Sequence, residues 1–316
     1  MSRPKPVVVV GSINTDLVSF TERIPRVGET VLGKDFQILA GGKGANQAVA
    51  VARLEYPVCM IGRVGTDSFG RDATRHLADA GVDTTCVRTS EGSSGVAAIS
   101  VSEAGENSIV VTPGANWLVR PSDIDENLAV IRDAGIVLTQ LEIPIETVEY
   151  LAQICAREDI PFMLDPAPAR DVSDAVFKNL SWFTPNQTEA GFFAEKNGKA
   201  SHDPSDLARE LLAKDIRGVV MKLGSEGALI CRDGLKAVIP AFPVNAVDTT
   251  AAGDAFNGGF AVGLMRGMTP QESGRFASAV AAISVTRRGA QNSMPTSNEV
   301  EAFLAAHSMR GENAQS

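Results

Sequence analysis

Val7 to Val10 form an unbroken apolar run that ends at Gly11, and two polar residues, Asn14 and Asp16, follow within a few positions. A strand that is apolar on both faces must be covered on both faces, as happens in a parallel sheet between helices, and polar groups at its C-terminal end lie where such sheets bind ligands. The unit recurs. A strand at 58–61 precedes a helix over 68–80, in which Phe69, Ala73, Leu77 and Ala80 repeat every three or four residues. Strands at 136–141, 160–165, 181–184 and 218–223 follow, with helices over 144–157 and 205–214. The runs GALICRD and LKAVIPA predict an antiparallel edge, and helices over about 270–286 and 297–306 close the chain. This rhythm predicts an α/β fold: an open, doubly wound, mostly parallel sheet flanked by helices, with its site along the C-terminal strand edge.

Two stretches break the rhythm. Residues 17–40 lack a helical period, carry Pro25, Gly28 and Gly33, and include the alternating runs ETVLG and DFQIL. Residues 95–112 hold GVAAISV and SIVVT joined by SEAGEN, a hairpin pattern. Together they predict a small second sheet that covers the site, with lid excursions near 15–40 and 95–112. With no internal repeat, low-complexity segment or linker, one domain is expected over 1–309, and a disordered tail over 310–316.

A formal net charge of -9 argues against a nucleic-acid or anionic-membrane surface. No apolar run approaches membrane-spanning length. Cys59, Cys86, Cys155 and Cys231 are widely spaced with no CxxC, which reads as reduced thiols in a cytoplasmic protein. His76, His202 and His307 have no Cys or Asp at metal-ligand spacing.

The chemistry concentrates in AVDTTAAGDAFNGGF, residues 246–260. Ala251, Ala252 and Gly253 carry almost no side chain, so backbone N–H groups at a helix start can approach an anion, and Asp254 in the first turn would face a hydroxyl attacking a phosphoryl group. The same residues also suit an ordinary capped helix start. Asn14, Asp16, Glu142, Asp165, Asn186 and Glu189 fall at predicted strand ends, a set suited to a polyhydroxyl compound, because each hydroxyl needs a donor and an acceptor. GGKGANQ is neither a Walker A loop nor GxGxxG; it reads either as a loop allowing close backbone approach, with Lys43 and Asn46 as polar groups, or as a tight strand-to-helix turn. KLGSEG fits a nucleotide loop or a plain β-turn equally.

The ordered motifs GSINTD, GGKGANQAVA, GRVGTDSFG, TQLE, DPAPAR, TPNQTEA, KLGSEG, AVDTTAAGDAFNG and AAISVTRRGAQNSMP, between residue 7 and about 304, resemble the PfkB family of carbohydrate kinases. The resemblance implies a central sheet flanked by helices, with a β lid that doubles as the interface of a homodimer. It implies a sugar held by Asn14, Thr15, Asp16, Gly42, Lys43, Gly44, Ala45, Asn46 and Glu142, with Asp254 as base. It assigns ATP to Asn186, Lys222, Leu223, Gly224, Ser225, Glu226, Gly227, Gly253 and Ser278, and the magnesium shell to Glu189. A potassium site is implied at Asp248, Thr250, Ser284, Arg287, Gly289 and Ser293, several through backbone carbonyls. Asp248 capping its own turn is the plainer reading of that residue. Three positions depart from the family pattern: Asp165 where Asn is common, Lys222 where a small hydroxyl residue is common, and Ser278 where His is common.

The activity implied is ATP-dependent phosphorylation of D-ribose at its 5-hydroxyl, giving D-ribose 5-phosphate and ADP. A sister kinase for deoxyribose, another small sugar or a nucleoside is the alternative. Phe20 and Phe36 alone would offer the aromatic clamp a nucleoside needs. A non-catalytic sugar-binding regulator is disfavoured by the presence of Asp254, and a dinucleotide-dependent dehydrogenase by the missing GxGxxG.

Overall fold

The valine run forms β1 (Val7–Val10), and its alternate side chains enter two different cores. In the computed structural model, which describes residues 3–194 and 203–313, Val7 and Val9 pack into one helical layer and Val8 and Val10 into the other. This double burial is what an unbroken apolar strand requires.

The chain then leaves the main sheet through β2 (Asn14–Thr21) and β3 (Gly33–Gly41) and returns in α1 (Lys43–Arg53), β4 (Val58–Gly65), α2 (Ser68–Asp79) and β5 (Val87–Ser90). A second excursion, β6 (Gly95–Ser102) and β7 (Asn107–Thr112), is followed by two short helices, α3 (Pro121–Glu126) and α4 (Leu128–Asp133). The regular βα rhythm resumes with β8 (Ile136–Gln140), α5 (Ile145–Arg157), β9 (Phe162–Asp165), α6 (Asp174–Asn179), β10 (Trp182–Phe183), α7 (Gln187–Ala194), α8 (Pro204–Leu212) and β11 (Gly218–Lys222). The antiparallel β12 (Ala228–Arg232) and β13 (Leu235–Ile239) precede α9 (Ala252–Met265), α10 (Pro270–Ser284) and α11 (Ser297–Asn313).

The nine-stranded sheet has the order β13-β12-β11-β10-β9-β8-β1-β4-β5, parallel from β11 to β5. On one face, α1, α9 and α10 pack with Val7 and Val9; on the other, α5 and α8 pack with Val8 and Val10. The excursions form the expected second sheet, in the order β3-β2-β6-β7.

The structure differs from the sequence reading in several places. Asn14 and Asp16 lie on the lid strand β2 rather than at the end of β1. Of ETVLG only Gly33 is in a strand, because that segment precedes β3 and has no partner strand. The strand β5 and the helices α3, α4, α6 and α7 escape a periodicity reading because each is too short to display a clear period. The final helix reaches Asn313, so residues 310–313 of the expected tail are helical; Phe303 and Leu304 anchor it on the core, and His307 rests against Phe303 and Phe242. The rest of the expected tail, 314–316, and His202 lie outside the described residues.

Candidate active site

The site lies where the C-terminal ends of β1, β8, β9 and β11 meet the starts of α1 and α9. Helix α9 begins abruptly. Ala251 stands at its N-cap in the left-handed region, with φ 58°, which turns the chain sharply into the helix. The N–H of Ala252 donates to the Thr249 carbonyl. Those of Gly253 and Asp254, in the first turn, have no carbonyl within the helix and lie at its positive end.

Asp254 is 4 % exposed. Its Oδ2 accepts a 2.9 Å bond from Asn46 Nδ2 and its Oδ1 a 3.0 Å bond from Gln47 Nε2, so neighbouring residues of α1 hold both oxygens. The Gln47 amide also donates to Asp165 Oδ2 at 2.9 Å and accepts from Gln140 Nε2 at 2.7 Å. Lys222 Nζ donates to the other Asp165 oxygen at 2.8 Å. The two sequence departures at 165 and 222 are therefore the two ends of one ion pair.

The acid Glu142 accepts from Ser12 Oγ at 2.5 Å and from the Lys43 N–H at 3.1 Å. Asn116 donates to Asn14 Oδ1 at 2.7 Å and pins the Ile13 backbone. The Asp16 carboxylate lies directly over Gly41, so that a Cβ there would collide with both its oxygens. Gly42 has φ 89°, and a Cβ on it would stand 2.6 Å from the Asn14 N, which is why the turn into α1 is built from glycine.

Some expected contacts take other forms. Thr15 alternates with Asn14 and Asp16 and lines a separate hollow with Phe69 and His76. Gly44 and Ala45 direct their N–H groups to Ser12, one to the hydroxyl and one to the carbonyl. Their part is to seat α1 against the end of β1. Gln47, Gln140, Ser12 and Asn116, by contrast, were not singled out from sequence. The signal available was an amide, Gln47, inside the Ala/Val-rich stretch of α1, where it is wholly buried.

Beside the 222–227 turn, a cavity of about 350 Å³ is lined by Gly224, Ser225, Gly227, Phe242, Thr249 and Ser278, among others. Leu223, Gly224 and Glu226 close the 222–227 turn through Leu223 N to Gly227 O at 2.8 Å and Glu226 N to Leu223 O at 3.1 Å. Ser278 Oγ is buried at the cavity with no partner among the described residues. Asn186 bridges to Lys222 at the strand ends and forms a reciprocal cap with Glu189: Asn186 N donates to Glu189 Oε2, and Glu189 N to Asn186 Oδ1, both at 2.8 Å.

The proposed cation residues converge only in part. Asp248 accepts from Thr250 N and Gly289 N, each at 2.9 Å, and the N–H groups of Val247 and Asp248 dock on the Val285 carbonyl. The Ser284 and Ser293 hydroxyls instead donate to the carbonyls of Ala281 and Ala290, and Arg287 pairs with Glu299.

Burial dominates the electrostatics. It pushes the Asp254 carboxyl up to about 6, with Asp165 adding to the rise, against the pull of Lys43 and the two amide bonds. Burial, then Glu142 and Asp254, likewise raise Asp16 to about 6 against Lys43. Burial would lower Lys43, but the field of Asp254, Asp165, Glu142 and Glu189 outweighs it and raises the ammonium above its ordinary range. Burial also raises Glu189, with Lys222 opposing. A carboxylate poised near neutrality beside unpartnered helix-terminal N–H groups is the equipment for moving a phosphoryl group to a hydroxyl.

A doubly wound fold with this site at its strand ends and a β lid beside it defines a class of small-molecule phosphotransferases. The chain belongs to the pfkB family of carbohydrate kinases, whose model matches residues 5–297. It is 40% identical over 301 residues to a ribokinase of Haemophilus influenzae, covering 95% of this chain and 98% of that one. It is 36% identical over 301 residues to a deoxyribokinase of Salmonella typhimurium, covering 95% and 98%. Among solved structures, an Arabidopsis thaliana ribokinase complexed with ribose and ATP superposes with a TM-score of 0.89 at 34% identity, covering 96% of this chain and 99% of that one. The chain is an ATP-dependent sugar kinase.

The raised carboxyls give opposite signs for turnover and stability. A base must be unprotonated, so kcat/KM is expected to climb with pH through about 6 and level above it. An acid whose folded pKa is raised contributes stability that is full below its ordinary value, 3.8, and is lost as pH rises through about 6. Asp254→Asn removes that cost, and Asn46 can turn its unpartnered Oδ1 toward the new amide. Denaturant midpoints should show the variant more stable than the parent near neutral pH, by about 1–3 kcal/mol, with the gap closing toward pH 4. A gap independent of pH would contradict the assignment.

Proposed function

We propose that the chain phosphorylates D-ribose at its 5-hydroxyl, with ATP as donor, to give D-ribose 5-phosphate and ADP. The observation that carries the reading is the buried Asp254 carboxylate, fixed by two amides of α1 at the first turn of α9. The sugar lies between that helix start and the lid, with Asn14, Asp16, Lys43, Asn46 and Glu142 around its hydroxyls. Asp254 removes the proton from the attacking hydroxyl. Its oxygen then bonds to the γ-phosphorus, the bond to the β-phosphate oxygen breaks, and ADP leaves. The N–H groups of Gly253 and Asp254 meet the charge of the transferring group. The nucleotide occupies the cavity between the 222–227 turn and α10, where the unpartnered Ser278 hydroxyl offers a donor and an acceptor to it. Closing the lid excludes water, which competes as acceptor.

Magnesium accompanies the nucleotide. It needs only one or two carboxylates when phosphates and waters fill the rest of its shell, and Glu189 fits that part as an acid at the edge of the site. Potassium is proposed beside Asp248. The donors fit a hard cation, although with the Ser284 and Ser293 hydroxyls turned to their own helical turns most of them would be backbone carbonyls. Such an ion would brace the turn that leads into α9. The lid is proposed as a homodimer interface, because Phe36, Ile38 and Val110 on one of its faces are 54%, 58% and 65% exposed. The four cysteines are free and buried, which supports a cytoplasmic protein. None of the described helices is long and apolar enough to cross a membrane.

ADP release measured over ribose, deoxyribose, fructose, adenosine and buffer alone tests the substrate; faster turnover of deoxyribose than of ribose would transfer the assignment to the deoxyribokinase-like alternative. Asp254→Asn should lower turnover by about 10²- to 10⁴-fold, with sugar and ATP binding changed only a few-fold.

Exchanging potassium for sodium at constant ionic strength is expected to lower turnover several-fold, and Asp248→Ala to abolish that response. Activity indifferent to the cation would remove the site. In sedimentation, the native chain should run as a dimer and the Ile38→Asp, Val110→Asp double variant as a monomer. Equal masses would rule out the lid interface.

A further inference from the structure

At the start of the 222–227 turn, the side chain of Lys222 has a geometry of its own. Its Nζ makes one hydrogen bond among the described residues, to Asp165 Oδ1 at 2.8 Å. That partner is 2% exposed and is itself fixed by Gln47, the amide that also holds Asp254. A Cβ built on Gly253 would stand 3.4 Å from Lys222 Nζ, so the ammonium lies against the first turn of α9, beside the N–H groups that have no helical partner. An ammonium carries three N–H groups, and Asp165 occupies one of them.

Charge makes the same point. Asp16, Glu142, Asp165, Glu189 and Asp254 act on one another or on Lys43 and Lys222 across this site. Five acids face two lysines, and a polyphosphate entering the site adds further negative charge. Lys43 begins α1, on the sugar side, whereas Lys222 ends β11 at the turn that borders the nucleotide cavity. A buried ion pair contributes little net stability, because removing both charges from water costs about as much as their attraction returns. Stability therefore does not account for the Lys222–Asp165 pair, and a task does.

We infer that Lys222 is a catalytic residue whose ammonium, positioned by Asp165, binds the phosphoryl group as it moves from nucleotide to sugar. The inference rests on the kinase reading above. In the step, the sugar oxygen gains the bond to phosphorus, the bond from phosphorus to the β-phosphate oxygen breaks, and the sugar proton goes to Asp254. Lys222 keeps its protons throughout and donates hydrogen bonds to the phosphoryl oxygens. The chain Lys222–Asp165–Gln47–Asp254 thereby ties the cation that receives charge to the base that generates it.

The test compares Lys222→Met, Lys222→Arg, Asp165→Asn and the double variant Asp165→Asn/Lys222→Met by steady-state ADP release, with sugar binding measured separately by calorimetry. Lys222→Met should lower kcat by about 10- to 10³-fold while sugar affinity stays within about twofold, and Lys222→Arg should recover a large part of the loss. Asp165→Asn alone should cost less than Lys222→Met, and in the Lys222→Met background it should cost less than it does in the parent, because the part of its effect that passes through Lys222 is already gone and only its contact with Asp254 through Gln47 remains. The double variant carries no unpaired buried charge, so its calorimetric sugar binding checks that the fold is intact. A kcat within about twofold of the parent in the folded double variant would overturn the inference, as would full additivity of the two substitutions. Loss of activity in Asp254→Asn with retention in Lys222→Met would sink this inference alone. Full activity in Asp254→Asn would instead sink the kinase base assignment.

Discussion

Burial of the Asp254 carboxylate is the constraint on which the rest of the site depends. A charge that is 4 % exposed must be hydrogen-bonded on every side or neutralised by a proton. The structure provides two amides from one turn of α1, the helix start to which the acid belongs, and the field of Lys43. Neither amide can move without leaving an oxygen of the buried acid unpaired. Helices α1 and α9 are consequently locked together: Gly258 of α9 lies so close to Ala50 that a Cβ at 258 would stand 2.6 Å from the alanine methyl. Chemistry and packing share one interface.

The balance is deliberately incomplete. Bonds from Asn46 and Gln47 favour ionisation of Asp254, while burial and Asp165 oppose it, and the acid settles near 6. A fully satisfied carboxylate would be too weak a base, and an unsupported one would stay protonated at neutral pH. Asp16 shows the same compromise on the lid side. Asp16 sits on the lid strand β2, and after burial and Glu142 it is the charge of Asp254 that raises it.

The remaining polar groups prepare for guests of different character. Around the proposed sugar region, Glu142, Asn14 and Asp16 are held by Ser12, by Asn116 and over Gly41, so acceptors and donors stand in fixed positions. The cavity proposed for the nucleotide is more apolar, with Phe242, Ala252 and Phe256 on its walls, and its polar content is concentrated in Ser225, Thr249 and Ser278. Fixed polar groups suit a compound made of hydroxyls; an apolar wall with a few polar groups suits an aromatic ring.

Much of this was legible in the sequence. The unbroken Val7–Val10 run required a strand buried on both faces, the βα alternation required a parallel sheet, and the two aperiodic stretches required a separate β layer. Strand-end polar residues and the small-residue run before Asp254 could be picked out as candidates, because those patterns follow from local backbone geometry. Short elements such as β5, α3 and α6 were not legible, since a single turn or four residues carry no measurable period. Nor could spacing reveal that Gln47, 118 residues from Asp165 and 207 from Asp254, bonds to both. Local propensity and hydrophobic period act over a few residues and can be read along the chain. Which amide meets which acid, and that Asp165 and Lys222 form one pair across 57 residues, was decided only when the sheet brought separate strand ends together.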